Sequence, residues 1–208
     1  MENKIKKLIE QGLKKIYSSN RFDYMIHISA LSNFCFRKLI LCKKYGYNYY
    51  HESGMPATTG TYFTRALGKA VEDIIYKALK INTDKIQKNI RVHHNIIGSL
   101  KLTGEIDIIF DRNIIEVKSM KNEDWLEEKI PIDYYYQVIG YLYLAKVGAV
   151  DCNYERGFII LCNKTFHVDP VKVIEVKYDD RVEKIIDGIK GDVEKIKTKG
   201  GLPKRICK

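Results

Sequence analysis

Ile86 to Ser119 reads IQKNIRVHHNIIGSLKLTGEIDIIFDRNIIEVKS, three runs rich in isoleucine that are interrupted at Gly98-Ser99 and again at Asp111-Arg112. Apolar runs of this length, separated by two-residue turn signals, predict consecutive strands near Ile86–Ile97, Leu100–Phe110 and Asn113–Ser119, folded as an antiparallel meander. The last two arms carry Asp107, Glu116 and Lys118. Side chains alternate along a strand, so Glu116 and Lys118 share one face, while Val117 turns inward to the core and leaves its carbonyl near the edge.

Two carboxylates and a backbone carbonyl are hard oxygen ligands, suited to Mg²⁺ or Mn²⁺. A lysine two residues from such a glutamate can orient the attacking water or offset charge that builds on a phosphoryl oxygen. The expected reaction is phosphodiester hydrolysis. Taken singly, each acid reads as a solvated strand residue, and a Glu-X-Lys triplet is weak evidence in a chain this rich in both residues. A second copy, Glu175-Val176-Lys177, lacks a preceding Asp-bearing hairpin and is expected to be a solvent-facing strand end.

Outward from the meander, Thr61 to Leu79 has Phe63, Leu67, Val71, Ile74, Ile75 and Leu79 at helical spacing, which predicts a long buried helix passing close to Glu72. Pro131 opens another helix running to about Val147. Strands are expected at Arg156–Cys162 and at 166–176, and a charged amphipathic helix from Asp179 to Thr198. At the start of the chain, Ile5 to Tyr17 and Phe34 to Tyr45 read as two helices, with Ser29-Ala30-Leu31-Ser32 as capping residues before the second. The order predicts an α/β (α+β) domain: a mixed sheet of about five strands with helices on its faces. Residues 1–60 are expected to form a helical extension packed on a core spanning 61–208.

The sequence resembles the PD-(D/E)XK nucleases, whose signature is an acidic residue, a hairpin and then Glu-X-Lys. Gly104-Glu105-Ile106-Asp107 and Glu116-Val117-Lys118 match it. Gln137-Val138-Ile139-Gly140-Tyr141 resembles the Gln-X-X-X-Tyr element of the RecB-like branch. Arg65-Ala66-Leu67-Gly68-Lys69-Ala70-Val71-Glu72 resembles that branch's Gly-X-X-X-His helix, with Glu72 in place of His. The resemblance implies a restriction-endonuclease-like core in which Glu72, Asp107, Glu116 and the Val117 carbonyl hold Mg²⁺ or Mn²⁺. It further implies that Lys118 assists the water, and that Gln137 and Tyr141, one helical turn apart, act in the site and position DNA, with Arg37 and Arg65 guiding it.

The stretch from Ser29 to Arg37 also resembles the CRISPR-associated adaptation nucleases, which place an iron–sulfur cysteine just before an arginine and add three cysteines near the C-terminus. Here Cys35 and Cys207 match that pattern and the usual ligand set is incomplete, so the alternatives of a cluster and of free thiols both stand. Cys152 and Cys162 read as buried small hydrophobes. The uses implied are end resection in recombination, replication or repair, or processing of CRISPR spacers. The partners implied are DNA that is single-stranded or has free ends, CRISPR adaptation or viral recombination proteins, and further copies of the chain, since toroidal relatives exist. A non-catalytic DNA-binding or assembly protein that kept the fold is the competing reading.

Composition frames these expectations. Of 208 residues, 36 are Lys or Arg and 26 Asp or Glu, a net charge of +10 that favours phosphate backbones or anionic surfaces. No run reaches the roughly 18 to 20 apolar residues of a membrane helix, and the polar start is no signal peptide, so a cytoplasmic location is expected, in the host cell if the source is a virus. Five dispersed cysteines argue against a secreted disulfide framework. Richness in Lys, Ile and Tyr suggests an AT-rich genome, such as that of an archaeal virus or a thermophile. The cluster Tyr45 to Tyr50, beside Lys43 and Lys44, reads equally as a base-stacking surface or as a packed helix end.

Overall fold

The protein is described by a computed structural model covering residues 11, 25–33, 39–40, 59–120, 125, 130–163 and 170–199. Elements are numbered in chain order: β1 (Met25–His27), a 3-10 helix (Ile28–Asn33), α1 (Thr59–Lys80), β2 (Ile86–Ile97), β3 (Leu100–Phe110), β4 (Asn113–Met120), α2 (Ile132–Lys146), β5 (Arg156–Asn163), β6 (Val171–Lys177) and α3 (Arg181–Lys199). The expected mixed α/β architecture is present, with six strands in the sheet rather than five. The extra strand is β1, which pairs parallel with the start of β3. Residues 25–27 thus join the central sheet, and Ile26, Ile28 and Leu31 join its core. The residues 29–32 expected to cap a helix form a 3-10 turn of their own, which buries Ile28 and Leu31, three residues apart, on one side.

The sheet runs β1-β3-β4-β5-β6, with β2 also pairing with β3. β2, β3 and β4 are antiparallel as the turn signals predict, and Asp111 and Arg112 both take positive φ (44° and 65°) in the two-residue turn between β3 and β4. β4 and β5 are parallel, and α2 makes the crossover between them. A crossover helix lies under its own sheet, which explains why α2 is apolar nearly all round and buries every residue from Val138 to Ala145. β6 completes the sheet antiparallel to β5.

Helices cover both faces. The larger core lies between the sheet and α2, α3 and the 3-10 turn, with Ile106, Leu142, Ile159 and Ile186 at its centre. The smaller one joins Ile108, Ile115, Val117 and Ile160 to the partly buried Val71, Ile75, Tyr76 and Leu79 of α1. The sequence pattern had counted Phe63, Leu67 and Ile74 on this inner face too. They are 51%, 55% and 62% exposed. The apolar positions of α1 fall into two stripes, and only the one through Val71, Ile75 and Leu79 meets the sheet.

The alternation of β3 breaks at Asp107. Ile106 packs into the core under α2, whereas Ile108, two residues on, packs into the core under α1. The register of β2 and β3 does not shift across this point, Lys88 opposite Ile108 and Ile90 opposite Ile106, so Asn89 stands opposite Asp107 at the one step between them that the ladder skips. Asn89 has φ 55°, a left-handed conformation inside a strand that Asn tolerates better than most side chains. Both strands therefore change face at the position of the first acidic residue.

Candidate active site

Beyond that break, β3 and β4 part. Their ladder holds three residue pairs, Ile108 with Ile115, Ile109 with Ile114 and Phe110 with Asn113. From Glu116 onward β4 stays paired with β5 alone. The Val117 N–H, which would otherwise face a strand, donates to the Asp107 carboxylate at 2.8 Å. A side chain takes the place of a ladder partner, and Asp107 and Glu116 are brought together where the sheet opens.

Glu116 is 1% exposed. Its Oε1 accepts from Lys118 Nζ, while its Oε2 is buried and without a hydrogen-bond partner among the described residues. Burial pushes the Glu116 carboxyl up to about 8 against the opposing pull of Lys118, with Asp107 adding to the rise. Asp107 is pushed up to about 6, chiefly by burial, with Lys118 opposing and Glu72 adding. Lys118 is held above the usual lysine value by the two carboxylates, which outweigh its own desolvation, and its ammonium lies 5.4 Å from the centre of the Tyr134 ring.

A cavity of about 600 Å³ opens beside this group. Arg65, Lys69 and Glu72 of α1 form one wall, Val117, Lys118 and Ser119 of β4 the floor, and Tyr134 and Gln137 of α2 the other wall. The predicted Asp107, Glu116 and Lys118 thus meet at one place, with Glu72, Arg65 and Gln137 around it. Glu72 lies within electrostatic reach of both acids, and its Oε2 accepts from Lys69 at 2.7 Å. Among the described residues no three His, Cys, Asp or Glu side chains are already grouped as metal ligands. Two carboxylates, one with an orphaned buried oxygen, nevertheless fit a hard divalent cation, since Mg²⁺ commonly takes one or two protein carboxylates and fills its other positions with water or phosphate.

Tyr141 lies within electrostatic reach of Glu116 and Asp107, inside the fold. It is 2% exposed, and its hydroxyl donates to the Glu105 carbonyl at 2.7 Å while accepting from the Gln137 amide at 3.2 Å. The residue fills the gap beside β3, and a Cβ on Gly104 would stand 2.6 Å from the tyrosine ring, so only glycine fits there. Tyr141 is accordingly packed against the strand that carries Asp107, with its hydroxyl bonded on both sides inside the fold.

Three residues at the site carry no motif. Lys69 also donates to Asn89 Oδ1 at 2.7 Å, and Lys88 pairs with Asp73 and lies 5.4 Å from the centre of the Tyr76 ring. Lys69 and Lys88 lie on α1 and β2, and the alternation of β2 up to Asn89 gave the one available hint for Lys88. Elsewhere, Glu175 of the second Glu-X-Lys triplet is exposed and pairs with Arg156 at 3.7 Å on β6. Cys152 and Cys162 are buried free thiols, and burial pushes Cys152 up to about 11, as inert small hydrophobes require. Arg37, Cys35 and Cys207, with Cys42 and the tyrosine cluster at 45–50, lie outside the described residues.

No protein-family model matches the sequence, and no curated protein matches it. Solved structures do resemble the fold. The protein named SSO0001 matches with a TM-score of 0.56 at 15% identity, over 94% of this chain and 87% of that one. The alkaline exonuclease LHK-Exo from Laribacter hongkongensis matches with a TM-score of 0.53 at 14% identity, over 85% and 93%. A phage-related exonuclease from Haemophilus somnus 129PT matches with a TM-score of 0.53 at 14% identity, over 83% and 94%. At these identities the likeness is one of fold, and that fold is the restriction-endonuclease-like one. Among the described residues no helix is long and apolar enough to cross a membrane.

Proposed function

We propose that the chain is a Mg²⁺- or Mn²⁺-dependent deoxyribonuclease acting on single-stranded DNA or DNA ends. The observation that carries this reading is the buried Oε2 of Glu116, without a hydrogen-bond partner among the described residues, beside Asp107 and Lys118 and next to a cavity walled by Arg65 and Lys69. An acid left in that condition is costly to ionise, and a cation is the partner that would relieve it. Asp107 and Glu116 would hold the ion, with the Val117 carbonyl and Glu72 as further oxygen donors. When bound, it supplies charge stabilisation at a phosphodiester and a better water nucleophile near neutral pH.

The remaining roles belong to the side chains. Lys118 stays charged beside Glu116 and offsets negative charge growing on the phosphoryl oxygens. Gln137 faces the cavity and holds the Tyr141 hydroxyl, so that β3 and α2 keep a fixed spacing across the site. Arg65 draws a DNA backbone to the open wall. Exonucleases among the structural neighbours, one of them LHK-Exo in complex with dAMP, support DNA as the substrate class. Glu72 on α1 and the Gln137–Tyr141 pair support the RecB-like reading, and with it end processing in recombination, replication, repair or CRISPR spacer handling.

The test is cleavage of end-labelled single- and double-stranded DNA with Mg²⁺ or Mn²⁺. Wild type is expected to cut, and Glu116→Ala and Lys118→Ala to lose about 100-fold or more of the rate. Intact DNA under every cation would replace this reading with that of a non-catalytic DNA-binding protein.

A further inference from the structure

Lys69 is placed unlike the other lysines described at the site. Lys118 is committed to Glu116, and Lys88 is tied to Asp73 and the Tyr76 ring. Lys69 instead bridges Glu72 and Asn89, each at 2.7 Å, at the wall of the cavity, with its side chain 38% exposed. An ammonium has three donors, so one remains after these two bonds. The i,i+3 pair with Glu72 is half-buried, Glu72 being 18% exposed, and its Lys69 end is the one open to the cavity. The bond to Asn89 has a stiffer base: the amide is short, and its backbone is fixed in the left-handed region at the point where β2 faces Asp107.

We propose that Lys69 is a cation-displaced phosphate clamp: it holds Glu72 while the site is free of metal and, still anchored on Asn89, turns to a DNA backbone phosphate once a divalent cation takes the carboxylate. The inference rests on the nuclease reading above. Its physical basis is charge crowding. Lys69 already lies within electrostatic reach of Lys88, and a divalent ion near Asp107 and Glu116 adds like charge on the same side. Glu72 is the one carboxylate of the three whose present partner is an exposed cation. Giving it up leaves Lys69 with two free donors on the wall along which a strand would pass.

Clamp and metal site are thereby coupled, and coupling is reciprocal: whatever favours the ion at Glu72 also favours phosphate at Lys69. Two measurements without turnover test this, Mn²⁺ titration by calorimetry on the free protein, and fluorescence anisotropy of a phosphorothioate single strand with and without Mn²⁺ over a salt series. Lys69→Met is expected to bind Mn²⁺ about five-fold more tightly, since a competing charge is gone. With Mn²⁺ present its salt slope for strand binding should fall by about one relative to wild type, and without Mn²⁺ the slope should be unchanged. Asn89→Gly keeps the backbone geometry and should show the same direction of loss in strand binding with Mn²⁺. Equal losses with and without Mn²⁺ would make Lys69 an ordinary surface cation, and no change in either measurement would make it a helix salt bridge. Wild type that binds Mn²⁺ while Lys69→Met behaves like it sinks the clamp alone. Wild type that binds no Mn²⁺ sinks the nuclease reading with it.

Discussion

At the scale of single residues, the ionisation of Asp107 and Glu116 ties the site to stability. Burial raises both, to about 6 and about 8, so the folded protein holds their protons more tightly than the unfolded chain does. The stabilisation from the protonated acids is complete below the ordinary carboxylate range and is lost as pH rises through about 6 and then about 8. In the presence of a chelator the melting temperature should therefore fall between pH 5 and pH 8.5. Mn²⁺ should raise it more at pH 8.5 than at pH 5, because protons compete with the ion for the same oxygens. A chelated protein that melts higher at pH 8.5 would contradict the burial of these acids. Tyr141→Phe is the companion case. Losing a buried hydroxyl between Gln137 and the Glu105 carbonyl should cost about 1 to 3 kcal/mol, read as a lower urea midpoint. Strand affinity should stay within about two-fold of wild type, as a buried support and not a DNA contact requires.

At the scale of elements, Asn89 and Gly104 shape the strand that bears Asp107. Asn89→Gly should leave the urea midpoint nearly unchanged, since glycine takes φ 55° freely, whereas Asn89→Val should cost about 1 to 3 kcal/mol. Gly104→Ala should destabilise by about as much, because its methyl would meet the Tyr141 ring. These two positions also mark what the sequence could and could not tell. Glu116, Val117 and Lys118 were legible because strand alternation and a two-residue turn are local rules. β1 has three residues, too few for any alternation to show, and the 3-10 turn after it is shorter than one helical repeat. The change of face at Asn89 was hidden because Ile86, Lys88, Ile90 and Val92 look like one continuous side of a strand. The stripe of Phe63, Leu67 and Ile74 misled for a related reason: periodicity reveals that a helix has apolar faces, not which of two faces meets the sheet. The bond from Lys69 to Asn89 spans 20 residues and has no local signature at all.

At the scale of the whole molecule, a net charge of +10 on 208 residues sets a general attraction for polyanions that does not depend on the site. Binding of a single strand should weaken steeply as salt rises, and Glu116→Gln should keep that dependence while abolishing cleavage, so that anisotropy over a salt series separates holding DNA from cutting it. A salt-independent affinity would show that the excess charge is not what meets the DNA. The parting of β3 and β4 also divides the sheet. β2 with β3, and β4 with β5, are each laced together along most of their length, whereas the two pairs meet through three residue pairs near the Asp111-Arg112 turn. The two halves of the sheet are thus joined at β3 and β4 by three pairs, and α2 spans the place where they part through the bond from Tyr141 to the Glu105 carbonyl. Asp107 and Glu116 stand just beyond the last of those pairs, so the shortest seam in the sheet ends at its acids.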